Sequence, residues 1–283
     1  MSISRRSSGA SSALQALASQ VHPVFMLPPV ACSWFGAFLA GETSLLVGLV
    51  HSVAIFSAVY TAHVKDGYVD FYGRGEDDDH PLTRRGCVLA LVGATALFFA
   101  CLAALWVLAN PGGVALTLPT WFIGYFHAPQ LDTNPVTATS GYPLGIALAI
   151  AGGYYVQAGA LSPVAVAFAA VFLVLLSGVK VIDDAQDFEY DRSIQKRTVA
   201  VAVGRERART TAYALMALAL VAVLAFALAA VFPPSTVLAV LGFATVAVVA
   251  RRADPELATM LLVRGSYVFL ALLLFAVWFR PLS

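Results

Sequence analysis

Charge is scarce in this chain. Asp, Glu, Lys and Arg make up 12% of its 283 residues, where an ordinary soluble domain carries about 25%. That shortage excludes a water-exposed globular surface over most of the sequence. The formal net charge of +1 excludes a general polyanion binder, so no nucleic-acid partner is expected. Cysteine is equally sparse: Cys32, Cys87 and Cys101 have no metal-ligand spacing and read as small apolar fillers. Period-2 alternation of apolar and polar residues is missing, which argues against a membrane β-barrel. The N-terminal stretch MSISRRSSGASSALQALASQ has no apolar core of the signal-peptide kind. It reads as a polar tail leading into a short surface helix (residues 1–20), and no linker divides the remaining residues 21–283.

What the chain has instead is apolar length. Hydrophobic residues account for 60%, mean hydropathy is +0.82, and runs of Ala, Leu, Val and Phe recur. Many approach the roughly 20 residues that a helix needs to cross a bilayer. The expected fold is therefore all-α: a polytopic membrane bundle of about nine transmembrane helices. They fall near 22–41, 44–64, 87–109, 113–128, 141–160, 162–182, 208–232, 235–250 and 259–280, the fourth and eighth being short. Turn signals separate them at Asn110-Pro111-Gly112-Gly113, Ser162-Pro163 and Pro233-Pro234.

Charge distribution orients this bundle. With nine spans, 15 of the 17 Lys and Arg and 15 of the 16 Asp and Glu fall on the side of the N-terminus; Glu42 and Arg280 lie opposite and Arg264 lies within the last span. The excess of basic residues marks that side as cytoplasmic. A multi-pass protein of the cell membrane, with its charged chemistry at the cytoplasmic face, is expected.

Two acidic clusters stand at matching places. The first follows span 2, in YTAHVKDGYVDFYGRGEDDDHPLTRRG, where Asp66 and Asp70 are one helical turn apart. The second follows span 6, in VKVIDDAQDFEYDRSIQKRT. There Asp183, Asp187 and Asp191 follow an i, i+4, i+8 spacing, and Asp184, Asp187 and Asp191 an i, i+3, i+7 spacing. Asp66 and Asp184 are 118 residues and four spans apart, so spans 1–4 and 5–8 read as two pseudo-repeated halves. Stacked carboxylates at a helix C-terminus oppose the dipole, and a charge within the membrane costs about 2.5–3.5 kcal/mol on insertion scales. A divalent cation is the natural compensation. Mg²⁺ prefers hard oxygen ligands and binds through one or two carboxylates plus substrate phosphates. The bland alternative is a solvated acidic face. Beyond the second cluster, Lys196 and Arg197 are candidate phosphate ligands, or else anchors at the membrane surface.

At these residues the chain resembles the UbiA superfamily of intramembrane prenyltransferases, closest to the menaquinone-type branch. Asp184-x-x-Asp187-x-x-x-Asp191 followed by KRTVAVAVG is similar to the family's second motif and its basic continuation. The first motif, N-D-x-x-D-x-x-x-D in the family, departs: Asp66 stands for Asn, Gly67 for Asp, Asp70 for Asp and Arg74 for the last acid. The run Glu76-Asp77-Asp78-Asp79 is then a candidate source of the missing carboxylate. FHAPQL (126–131) and GGYYVQAGALS (152–162) also resemble family segments.

The resemblance implies a Mg²⁺-dependent enzyme. It would transfer a polyprenyl group from a prenyl diphosphate to a lipophilic acceptor within membrane lipid, releasing diphosphate. Asp66, Asp70, Asp183, Asp184, Asp187 and Asp191 would hold metal; Arg74, Lys196, Arg197 and Tyr142 would contact substrate. An allylic cation formed in an apolar chamber is protected from water and stabilised by aromatic faces, for which Tyr68, Tyr125, Tyr142, Tyr154 and Tyr155 are candidates. His63, three residues before Asp66, is a proton acceptor or a structural residue; His22, His51, His80 and His127 form no visible metal set. Two other classes compete. CDP-alcohol phosphotransferases need D-G-x-x-A-R, but here Asp66-Gly67 continues Tyr68-Val69-Asp70. The other is a membrane transporter or a non-catalytic scaffold; transporters place ionisable groups near the midplane, where only Arg264 falls.

Overall fold

The computed structural model describes residues 2–194 and 196–282. Among them the chain is all helical, with no strand and one isolated antiparallel bridge, Ser4 with Leu82. The helices are α1 (Ala10–Ala18), α2 (Pro23–Leu39), α3 (Leu45–Tyr68), α4 (Arg84–Leu108), α5 (Pro111–Phe126) and α6 (Pro135–Ala158). There follow α7 (Pro163–Gln186), α8 (Phe188–Ser193), α9 (Val199–Val203), α10 (Arg205–Leu228), α11 (Val237–Ala250) and α12 (Pro255–Phe279). The starts are written in the sequence. Ser44, Thr83, Asn110, Ser162, Thr198 and Asp254 each accept a hydrogen bond from a backbone N–H of the first turn, and Pro opens α2, α5, α7 and α12.

The nine described helices of 14 residues or more coincide with the nine expected segments. Five stretches are long and apolar enough to cross a membrane alone: Leu45–Arg74, Arg84–Leu108, Pro163–Gln186, Arg205–Leu228 and Pro255–Phe279. The pair α1 and α2, bent by 70°, would make a sixth. With 16 and 14 residues, α5 and α11 reach only about 24 and 21 Å at 1.5 Å per residue, short of a hydrocarbon core of about 30 Å. Large apolar side chains stand outward on α4, α10 and α12, Trp106, Val107, Leu228 and Trp278 among them. A solvent of lipid makes that exposure favourable.

The chain packs as two compact units. The first comprises Met1–Leu131 with Leu148–Ala160, the second Asp132–Ala147 with Leu161–Ser283. In the first, α3 packs against α2, α4 and α5 around Ala54, Ala58, Phe98, Leu102 and Leu105. Glycine lets backbones nearly touch: a Cβ on Gly36 would stand 2.0 Å from the Ile150 carbonyl oxygen, and one on Gly153 2.2 Å from that of Ser33. The GGYY segment therefore has a packing role of its own, the close crossing of α2 and α6. In the second unit α7 is central, against α10 and α12, and Phe172, Phe243 and Phe269 meet edge to face. All three cysteines are free and buried, as fillers should be.

The N-terminal residues are not a detached tail. Thr83 N–H donates to the Ile3 carbonyl and Arg5 N–H to that of Pro81, both at 2.9 Å. Ile3 and Leu17 pack on a core of Ala16, Val64, Leu82, Cys87 and Ala90, and the Tyr60 hydroxyl donates to the Leu17 carbonyl.

Candidate functional site

In the first unit the helix carrying Asp66 does not stop at its apolar end. From Val69 to Arg74 the chain continues as a π-helical turn, closed by Gly75 at φ 69°. Such wide turns recur at functional sites. Here the turn contains Asp70 and Arg74, two of the predicted site residues. Arg74 is largely buried and bridges acids, its Nη1 3.5 Å from Asp70 Oδ1 and its Nε 3.4 Å from Glu76 Oε1. Glu76 N–H also donates to the Asp70 carbonyl. Arg74 thus faces acidic partners rather than bulk solvent.

Asp66 and Asp70 line a cavity of about 370 Å³ together with Asp77 and Asp79 from the acidic run. The remaining lining comes from Gly67, His63, His80 and Pro81, and from Arg6, Ser19, Gln20 and His22 of the N-terminal segment. His63 stacks on His22, ring centroids 4.9 Å apart. Arg6 pairs with Asp79 at 2.7 Å, and this pairing holds the exposed Asp79 carboxyl below the usual carboxylate range. None of the N-terminal lining was expected from sequence, because those residues are remote in the chain and match no motif.

In the second unit α7 runs to Gln186, and Asp187 (φ −90°, ψ 15°) breaks it before α8 begins. The expected continuous carboxylate stripe is therefore two short runs meeting at Asp187. Asp184 and Asp191 are buried and Asp187 is exposed. Lys180 binds both Asp183, at 2.8 Å, and Asp184. Sequence reasoning passed over Lys180, although its i+3 and i+4 spacing to the two acids is the signal of a helical ion pair. Asp184 Oδ2 is buried and has no hydrogen-bond partner among the described residues. Lys196 Nζ lies 3.8 Å from Asp191 Oδ1, and Lys196 N–H donates to the Asp191 carbonyl. Burial raises the Asp191 carboxyl to about 6, against the pull of Lys196; partial loss of hydration, with the Asp183 carboxylate nearby, raises that of Asp187 as well. Arg197 donates its backbone N–H to the carbonyl of buried Asp132 at 2.9 Å, while its side chain is exposed. Tyr142 lies partly buried on α6.

Among the described residues no three His, Cys, Asp or Glu side chains form a ready-made metal cage. The donors nevertheless suit magnesium. They are hard carboxylate oxygens, one of them buried without a partner, and Mg²⁺ keeps waters and substrate oxygens for the rest of its shell.

Comparisons with known proteins place the fold. No family model matches the chain, and no curated protein matches it either. Solved structures do. A UbiA homolog from Archaeoglobus fulgidus bound to DMAPP and Mg²⁺ is 19% identical, with a TM-score of 0.67 over 94% of this chain and 98% of the other. A UbiA homolog from Aeropyrum pernix K1 in its apo form is 16% identical, with a TM-score of 0.71 over 93% and 100%. A digeranylgeranylglyceryl phosphate synthase is 12% identical, with a TM-score of 0.70 over 94% and 96%. At these identities what is shared is the fold.

Proposed function

We propose that this chain is a UbiA-type integral membrane prenyltransferase, transferring a prenyl group from a prenyl diphosphate to a lipophilic acceptor and releasing diphosphate. The observation that carries the reading is the state of Asp184: buried, held by Lys180 through one oxygen, with the other oxygen unpartnered among the described residues, in a fold shared with a protein solved with DMAPP and Mg²⁺. A carboxylate kept in that condition costs stability unless something binds it. A second acidic set, Asp66 and Asp70 with Asp77 on the wall of a cavity in the first unit, supports the reading.

In this reading Asp184, Asp187 and Asp191, with Asp183 beside them, hold Mg²⁺ in one unit, and Asp66 and Asp70 hold it in the other. Bound there, the metal would neutralise the charge that develops on the departing diphosphate. The protein's own groups do the remaining work. Lys196, Arg197 and Arg74 bind phosphate oxygens as fixed cations. Lys180 keeps buried Asp184 compensated, with the more exposed Asp183 beside it. The apolar helices accept the prenyl chain and keep water from the reacting carbon, and Tyr142 offers an aromatic face. Nine membrane crossings and a cytoplasmic position for both acidic sets follow from the basic-residue asymmetry. The similarity of GGYYVQAGALS to menaquinone-type enzymes favours an aromatic quinone precursor as acceptor.

The test is direct. Purified protein in detergent or lipid is given Mg²⁺, a labelled prenyl diphosphate and a panel of aromatic, lipid and isoprenoid acceptors, and products are identified by mass. Metal-dependent formation of a prenylated product with release of diphosphate is expected. Absence of any product, with no binding of prenyl diphosphate, would overturn the reading in favour of a transporter or a non-catalytic scaffold.

A further inference from the structure

Gly67 stands between Asp66 and Asp70 on the wall of the first cavity, and the space its side chain would fill is taken. A Cβ there would lie 2.9 Å from His80 Cε1, 3.3 Å from His80 Nδ1 and 3.6 Å from Gln20 Oε1. Both groups reach this spot from outside the helix. His80 arrives from the loop after the acidic run, Gln20 from the end of α1, and both line the cavity.

Neither is there by accident of a loose surface. His80 is 3% exposed and Gln20 6%. The imidazole stacks on Phe71 at 5.6 Å and meets Tyr72 edge to face. Its Nε2 lies 3.4 Å from Cys87 Sγ, which leaves Nδ1 as the nitrogen nearer Gly67. Burial lowers the His80 pKa below the ordinary histidine value, favouring the neutral ring. The N-terminal segment that delivers Gln20 is itself clamped. It is bonded to residues 81 and 83 through its backbone, it places Arg5 over the Phe71 ring at 4.3 Å, and it ties Arg6 to Asp79. A buried carboxamide and a buried neutral imidazole, two residues with both donor and acceptor capacity, are thus brought beside two carboxylates.

We infer that Gln20 and His80 are substrate-positioning residues, which use the side-chain space at Gly67 to hydrogen-bond diphosphate oxygens or metal-bound water beside Asp66 and Asp70. The N-terminal segment is then part of the binding site rather than a surface appendage. The inference rests on the prenyl diphosphate reading and adds to it a neutral, hydrogen-bonding side to the first acidic set.

The experiment measures binding of inorganic pyrophosphate with Mg²⁺ to the full chain in detergent by calorimetry. The variants are Gln20→Leu, His80→Phe and His80→Asn, with Asp70→Asn as control; thermal unfolding is followed alongside. Leu keeps the size of Gln without its amide. Phe keeps the ring stack without nitrogen. Asn keeps a polar atom near the position of Nδ1. Gln20→Leu and His80→Phe are expected to weaken pyrophosphate binding about tenfold each, the scale of a hydrogen bond to a charged group, while His80→Asn stays within about threefold of the parent and unfolding midpoints hold. Should His80→Phe lose its fold, Gln20→Leu and His80→Asn still decide. Unchanged affinity in Gln20→Leu, or equal loss in His80→Asn and His80→Phe, would overturn the inference. A parent protein that binds no pyrophosphate, or an Asp70→Asn variant that binds it unchanged, would instead strike the underlying reading of this cavity.

Discussion

Lys180 offers the sharpest test of how the second acidic set is held in the absence of metal. Its ammonium serves Asp183 and the almost fully buried Asp184, whose side chain is 4% exposed against 29% for Lys180. Removing one partner of a fully buried pair costs about 3–5 kcal/mol, because the remaining charge stays buried and uncompensated. The partial exposure of Lys180 admits some water to the gap, so about 2–3 kcal/mol is the better expectation. For a chain of this length that corresponds to about 4–6 °C in the unfolding midpoint. Lys180→Met keeps the aliphatic stem and deletes the charge. In metal-free protein it should lower the midpoint by that amount, and Asp184→Asn in the same chain should recover most of it. Mg²⁺ should then stabilise Lys180→Met more than it stabilises the parent, since Lys180 no longer competes for Asp184. The assay is thermal unfolding in EDTA and in a Mg²⁺ titration. A midpoint that does not move, with the same Mg²⁺ response as the parent, would refute the claim that Lys180 compensates this acid.

Three further outcomes are expected. Asp187→Asn, at an exposed break between helices, should abolish prenyl transfer while the unfolding free energy stays within about 0.5 kcal/mol of the parent; full activity would make the second set a solvated face. Arg74→Ala should weaken prenyl diphosphate binding, and Glu76→Gln with Asp77→Asn should raise the Mg²⁺ needed for half-maximal rate; unchanged kinetics in both would remove the π-helical turn from the site. The Mg²⁺ requirement should also rise as pH falls through about 6, because the metal-free Asp191 carboxyl, raised to about 6 by burial, must lose its proton to coordinate. The same shift has a stability consequence of definite sign. The folded pKa lies above the unfolded value, so the contribution of Asp191 to metal-free stability is greatest below pH 4 or so and is lost as pH rises through about 6. A requirement flat between pH 5 and 7.5 would contradict this.

The sequence by itself determined the class of fold and the helices, and it singled out a set of candidate acids. Apolar length and the cost of unsatisfied backbone in lipid leave helices as the answer, and caps such as Ser44, Asn110 and Asp254 announce where they begin. These signals are local: each is decided within a turn or two of chain, so one-dimensional reading recovers them. The sequence also marked Asp66, Asp70, Asp184, Asp187 and Asp191, because charge in so apolar a chain must be compensated. Only tertiary structure decided what compensates it and what stands beside it. Spacing suggested one carboxylate stripe over 183–191, but α7 ends at Gln186, and Asp187 faces out while Asp184 faces in. Arg74, read as a departure from a motif, bridges Asp70, one turn before it, and Glu76, just past the left-handed Gly75. The N-terminal 20 residues, polar and without a motif, put Arg6, Ser19 and Gln20 into the cavity wall. Ile3, Arg5 and Arg6 find their partners about 80 residues away at positions 79–83. Pairings over such distances come from the burial and hydrogen bonding of the folded chain as a whole, and no local pattern of residues encodes them.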